Sequence, residues 1–110
     1  MELAARLPAD AELAFYRILQ EALKNIEQHA RARHVTVQLA KQAAFVQLTI
    51  KDDGTGFDPD KPRSGKKERN GLGLLGMRER ATYVGGTLTV KSVRRAGTAI
   101  EVRITLRAVP

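Results

Sequence analysis

Three groups of residues combine types and spacings that suit chemistry. Glu21, Asn25 and His29 are spaced by four. On a helix they form a row along one side, drifting about 40° per step. A carboxylate, an amide and an imidazole at the edge of a buried stripe can line a cleft. Asp52-Asp53-Gly54-Thr55-Gly56 sets a carboxylate beside a backbone that another group can approach closely. A buried carboxylate there can accept a hydrogen bond from an exocyclic amine such as that of adenine. Gly71-Leu72-Gly73-Leu74 puts two glycines at a helix entry, where free N–H groups can face phosphate oxygens. Taken singly, each group has an ordinary explanation: a polar helix face, an Asp-Gly turn, a loose helix entry. The glycine pair is neither a dinucleotide fingerprint, which needs a preceding strand and G-x-G-x-x-G spacing, nor a P-loop, which needs a following Lys-Ser/Thr.

The elements that carry these groups follow from periodicity. Residues 11–30 read as a helix, with Leu19, Ala22, Leu23, Ile26 and Ala30 drawing an apolar stripe and Asp10 as its N-cap. Alternation predicts strands over 34–40 and 45–52, joined as a hairpin. Residues 53–71 hold four of the nine glycines and two of the four prolines, and read as a long irregular segment. A second helix is predicted from Leu74 to Tyr83 or Val84, stopped by Gly85-Gly86. Strands over 87–93 and 98–106 close the chain, with a turn at Arg94 to Gly97. The predicted fold is α+β: a two-layer α/β sandwich with a mixed, mostly antiparallel sheet and helices on one face.

Composition bounds what such a domain can do. The 110 residues suit one core. Cysteine is absent, which excludes disulfides, thiolate metal sites and cysteine nucleophiles. The net charge of +7 points to an anionic partner, but two Tyr, three Phe and no Trp are few for stacking nucleic-acid bases. No apolar run approaches the length of a membrane span. Lys61, Arg63, Lys66, Lys67 and Arg69 crowd one polar stretch of the irregular segment.

Together, helix-borne Glu and Asn, then Asp-x-Gly-x-Gly, then Gly-x-Gly, resemble the ATP-binding domain shared by DNA gyrase, the ninety-kilodalton heat-shock chaperone, histidine kinases and MutL (the GHKL superfamily). LPADAELAFYRILQEALKNIEQHARARHVTVQL, GLGLLGMRERATYVGGTLTVKS and GTAIEVRITL look more closely like histidine kinases that signal to NarL-class response regulators. The resemblance covers essentially the whole chain and implies the cofactors ATP and Mg²⁺. It implies that Asn25 coordinates the metal and Glu21 polarises the attacking group. Asp52 would read the adenine amine, with Gly54 and Gly56 shaping that wall and Asp53 adding a second carboxylate beside it. Gly71, Leu72, Gly73 and Leu74 would meet the phosphates and close the pocket. Thr98 would support the adenine contact, often through water, and His29 would lie near the phosphates. Gln28 stands where the family frequently has a basic residue.

On this resemblance residues 1–110 are one ATP-binding catalytic domain, with 53–71 as its ATP lid and flanking loop. The expected partners are ATP, the phosphoacceptor and dimerisation helices of the same kinase, which this stretch lacks, and a NarL-class response regulator downstream. Direct contact with nucleic acid or membrane is not expected of this domain. Its expected place is the cytoplasm, with anchorage of the full-length kinase at the inner membrane left open. The alternative is a stand-alone GHKL protein-serine kinase of the anti-sigma-factor type.

Overall fold

The computed structural model describes residues 8–42, 44–56 and 73–105. Helix α1 (Ala9–Asn25) continues into a π-helical turn (Ile26–Ala30). Strands β1 (Val35–Lys41) and β2 (Phe45–Asp52) follow, then helix α2 (Leu74–Tyr83) and strands β3 (Gly86–Val93) and β4 (Gly97–Thr105). The sheet order is β1-β2-β4-β3. Every pairing among the described residues is antiparallel, so the sheet is antiparallel where a mixed one was allowed for.

Helix α1 starts earlier than expected. Pro8 is extended, with φ −57° and ψ 147°, and its carbonyl accepts the Ala11 and Glu12 N–H groups at 3.0 and 3.1 Å. Asp10 therefore lies inside the first turn rather than at the N-cap. Its charge there suits the positive end of the helix. The buried stripe is also rotated from the expected one: Ala11, Ala14, Phe15, Ile18 and Ala22 face the sheet, while Leu23 is 40% exposed. Alanines at three of these five positions let the helix lie close to the strands.

The period-2 alternation of the strands builds the core directly. Hydrogen-bonded neighbours form two apolar rungs across the inner face: Leu39–Leu48–Val102–Leu88 and Val37–Ile50–Ile100–Val90. Ile18 and Ala22 from α1 and Met77 and Ala81 from α2 pack on this face, all at most 1% exposed. Fully burying a side chain such as Ile18 stabilises the fold by about 1.5–3 kcal/mol. The two helices and one sheet face make the expected two-layer sandwich. The third rung of the inner face breaks the apolar pattern, and a cleft opens there.

Candidate functional site

The third rung reads Val35–Asp52–Thr98–Ser92 across the four strands. Each of the three polar residues falls on the inward register of its strand, after Ile50, before Ile100 and after Val90 respectively. Strand alternation thus carries a carboxylate and two hydroxyls to the end of the apolar floor. A cleft opens above them. Ile50, Asp52, Thr98 and Ile100 form its floor, and Ala22, Asn25, Ile26, His29 and Ala30 its helical wall. Thr55, Gly56 and Leu74 complete the rim.

The end of the helix is shaped for this wall. At Asn25 the bonding pattern changes from α to π, and Arg31, at φ 51°, stops the chain in the left-handed region. Such π turns are frequent at functional sites. The looser winding alters the drift of the four-residue row, and Asn25 and His29 both line the cleft. Glu21 does not. It is half-buried in a neighbouring hollow with Lys24, Gly73 and Arg80. Gly73 takes φ +65° at the start of α2, and a Cβ there would come within 2.9 Å of Glu21 Cγ and Cδ. The expected row of three is therefore divided between two adjoining hollows.

The two adjacent aspartates do different work. Asp52 is half-buried at the strand end, where its Oδ1 accepts the Gly54 N–H at 2.8 Å. Asp53 turns away to hold the loop after the π turn. Its Oδ1 accepts the Arg33 and His34 N–H groups at 2.8 and 2.9 Å, and its Oδ2 lies 2.9 Å from His34 Nδ1. The His34 backbone N–H, then the His34 side chain and the Arg33 N–H, hold the Asp53 carboxyl at about 2, below its ordinary 3.8. The cleft is lined by Asp52 and not by Asp53.

The glycines of this region permit backbone contact. A Cβ on Gly54 would overlap the Ala30 carbonyl, whose oxygen accepts the Thr55 N–H at 2.7 Å. Gly54 is buried in this junction and does not line the cleft. Gly97 adopts φ +101°, and a Cβ there would overlap the Asp52 carbonyl oxygen. Its absence lets β4 begin flush against the end of β2. Gly56 lines the cleft and lies against the Val93 carbonyl.

Residues missed by the motif reading complete the site. Thr55 ties the helix end to the β3–β4 turn, accepting the Arg95 N–H on its carbonyl at 2.6 Å. Ile26, Ile50 and Ile100 give the cleft apolar walls. Ser92 places its Oγ 2.7 Å from Thr98 Oγ1. The alternation Leu88, Val90, Ser92 was the signal for it. Gly71, Leu72 and the basic stretch 61–69 lie outside the described residues, as does the segment expected as a lid beyond Gly56.

Comparison with known proteins agrees with this geometry. Residues 10–108 match the family model described as histidine kinase-, DNA gyrase B- and HSP90-like ATPase. The chain is 37% identical over 99 residues to the signal transduction histidine-protein kinase/phosphatase DegS of Brevibacillus brevis, covering 90% of this chain and 24% of that protein. It is 38% identical over 103 residues to the histidine-protein kinase/phosphatase UhpB of Salmonella typhimurium, covering 94% and 19%. The chain thus spans about a quarter or less of the length of these relatives. The histidine kinase domain of the Erythrobacter litoralis EL346 blue-light activated histidine kinase shares the fold. Its TM-score is 0.71 at 24% identity, over 91% of this chain and 46% of that one. The matched residues hold all but the first residue of α1, the whole of α2, the four strands among the described residues and every residue lining the cleft, and the chain belongs to the histidine kinase-, DNA gyrase B- and HSP90-like ATPase family.

Proposed function

We propose that the chain is the Mg-ATP-binding catalytic domain of a two-component sensor histidine kinase. It would deliver the γ-phosphoryl group to a histidine on the kinase's dimerisation helices, upstream of a NarL-class response regulator. The observation that carries this reading is the polar end of an otherwise apolar floor: Asp52 and Thr98 side by side, facing Asn25 and His29 across the cleft. Ile50, Ile100 and Ile26 offer apolar surface to the faces of a purine. Asp52 accepts a hydrogen bond from the exocyclic amine with the acceptor capacity left beside its bond to Gly54. Thr98 adds a hydroxyl next to it. The triphosphate then runs toward Asn25, His29 and the start of α2, with Gly71, Leu72, Gly73 and Leu74 as the closing segment.

The donor set fits a magnesium ion brought in by the nucleotide. No cluster of three His, Cys, Asp or Glu side chains that could cage a cation occurs among the described residues. Asn25 supplies one neutral oxygen donor at the cleft wall, which suits a hard cation that keeps phosphate oxygens and waters as its other ligands. When bound, the ion offsets the phosphate charge during transfer. In that transfer the P–O bond to ADP breaks as a bond to the acceptor imidazole forms. Glu21, beside Gly73, polarises the attacking group. The partners on this reading are ATP, the phosphoacceptor helices and the response regulator, with no direct contact to nucleic acid or membrane. No helix among the described residues is long and apolar enough to cross a membrane. The domain would work on the cytoplasmic side of a kinase anchored at the inner membrane. The relatives compared above are named as histidine kinases, which does not favour the serine-kinase alternative.

Titration calorimetry with a non-hydrolysable ATP analogue, with and without Mg²⁺, tests this reading. Saturable one-to-one binding strengthened by Mg²⁺ is expected, and Asn25→Ala should chiefly remove the Mg²⁺ dependence. Binding that is equally Mg²⁺-dependent in Asn25→Ala would overturn the metal assignment. Absence of saturable binding would overturn the nucleotide site.

A further inference from the structure

We propose that Ser92 is a positioning residue that sets the direction of the Thr98 hydroxyl and so makes the cleft select adenine over guanine. This rests on the nucleotide reading above and extends it to a residue that does not touch the ligand. Ser92 is the one buried polar residue among the described residues, at 8% exposed. It sits at the inward end of β3, next to Thr98 in the third rung, and lies behind the cleft rather than on its surface. Its Oγ is 2.7 Å from Thr98 Oγ1 and 3.4 Å from the Gly97 carbonyl oxygen. The first distance is that of a good O–H···O bond; the second is beyond the usual range.

Two hydroxyls at this distance share one proton between them, and whichever donates dictates what the other can offer. The base edge supplies the constraint. Adenine presents an amine donor beside a ring-nitrogen acceptor, and guanine presents the reverse pair. Asp52 can only accept while ionised. Its neighbour in the rung must therefore donate, directly or through a water, for the pair to match adenine. When Ser92 donates to Thr98 Oγ1, that oxygen is occupied from behind and the Thr98 proton is turned to the cleft. The rung then reads acceptor, donor, with Ser92 holding the second in place. Without the Ser92 hydroxyl, Thr98 can rotate and present either its proton or a lone pair, so it meets the ring N–H of guanine as readily as the ring nitrogen of adenine.

The test is calorimetry of the chain with non-hydrolysable ATP and GTP analogues, for wild type, Ser92→Ala, Thr98→Val and the double variant, alongside thermal melts. Ser92→Ala should weaken the ATP analogue by about 2- to 10-fold, the range for one net hydrogen bond, and leave the GTP analogue unchanged or tighter. In the Thr98→Val background, Ser92→Ala should change neither affinity, because its target is gone. A merely structural serine would lower the melting temperature and move both affinities together, with the ratio intact in either background. That outcome overturns the proposal while leaving the nucleotide site standing. Failure of wild type to bind the ATP analogue overturns both. Should Ser92→Ala fail to fold, Ser92→Cys, which keeps a side-chain atom in place but donates weakly, gives the same comparison.

Discussion

Asp52→Asn isolates the base-reading carboxylate with little change of shape. Asp52 Oδ1 accepts the Gly54 N–H at 2.8 Å, and an asparagine oxygen can keep that bond. The loop therefore stays in place, and the cost falls on the other side-chain atom. There an acceptor becomes an NH₂ donor, which meets the donor amine of adenine. A hydrogen bond to a charged partner contributes about 1.5–3 kcal/mol, so affinity for an ATP analogue should fall roughly 10- to 150-fold. Asp53→Asn is the matched control, because Asp53 bonds the Arg33 and His34 N–H groups and does not line the cleft. It should leave affinity within about 2-fold, as expected of a group with no ligand contact. Calorimetry of both variants beside wild type separates the two carboxylates. Unchanged affinity in Asp52→Asn, or a larger loss in Asp53→Asn, would refute the assignment.

Other expectations follow from single features of the structure. Asp53 is held at about 2 against an ordinary 3.8, so its contribution to stability is complete above about pH 4 and is lost as pH falls toward 2. Urea melts should accordingly show Asp53→Asn less stable than wild type at pH 6, with the gap closing near pH 2; a gap constant with pH contradicts this. Gly97→Ala, at φ +101° and against the Asp52 carbonyl, should cost at least roughly 1–2 kcal/mol, read as a lower denaturation midpoint at unchanged slope. Gly76→Ala should go the other way. It lies in helix α2 with nothing within 4 Å of the added Cβ, and should gain about 0.5–1 kcal/mol. Glu21→Gln, measured in the full-length kinase, should preserve ATP affinity and slow phosphoryl transfer; equal loss of both would make Glu21 structural.

The strands were the most legible part of the chain, because one face of the sheet is buried and alternation writes that face into the sequence. Leu48, Ile50 and then Asp52, or Thr98 and then Ile100, already mark a floor with a polar end. The same pattern would have singled out Ser92, had the inward register of β3 been followed past Val90. Helix α1 was read two residues short at its start and with the wrong rotation. Alanines carry much of its buried face, and they weigh less in an apolar stripe than the exposed Leu23 does. The π turn has no local sequence signature, so the division of Glu21 from Asn25 and His29 could not be seen in their regular spacing. The resemblance assigned the base to Asp52, but what Asp53 does was out of reach. What separates them is a loop twenty residues back in the chain, whose Arg33 and His34 N–H groups claim one of the two.

The central claim is that nucleotide binds on the third rung of the sheet, under the end of α1. Amide chemical-shift mapping of the ¹⁵N-labelled chain during titration with a non-hydrolysable Mg-ATP analogue tests it most directly. The account predicts saturable shifts at Asn25, His29, Gly54, Thr55, Ser92 and Thr98, with Leu13 and Tyr83, in the groove between α1 and α2, unmoved. Shifts that saturate in that groove instead, while the third rung stays silent, would contradict it.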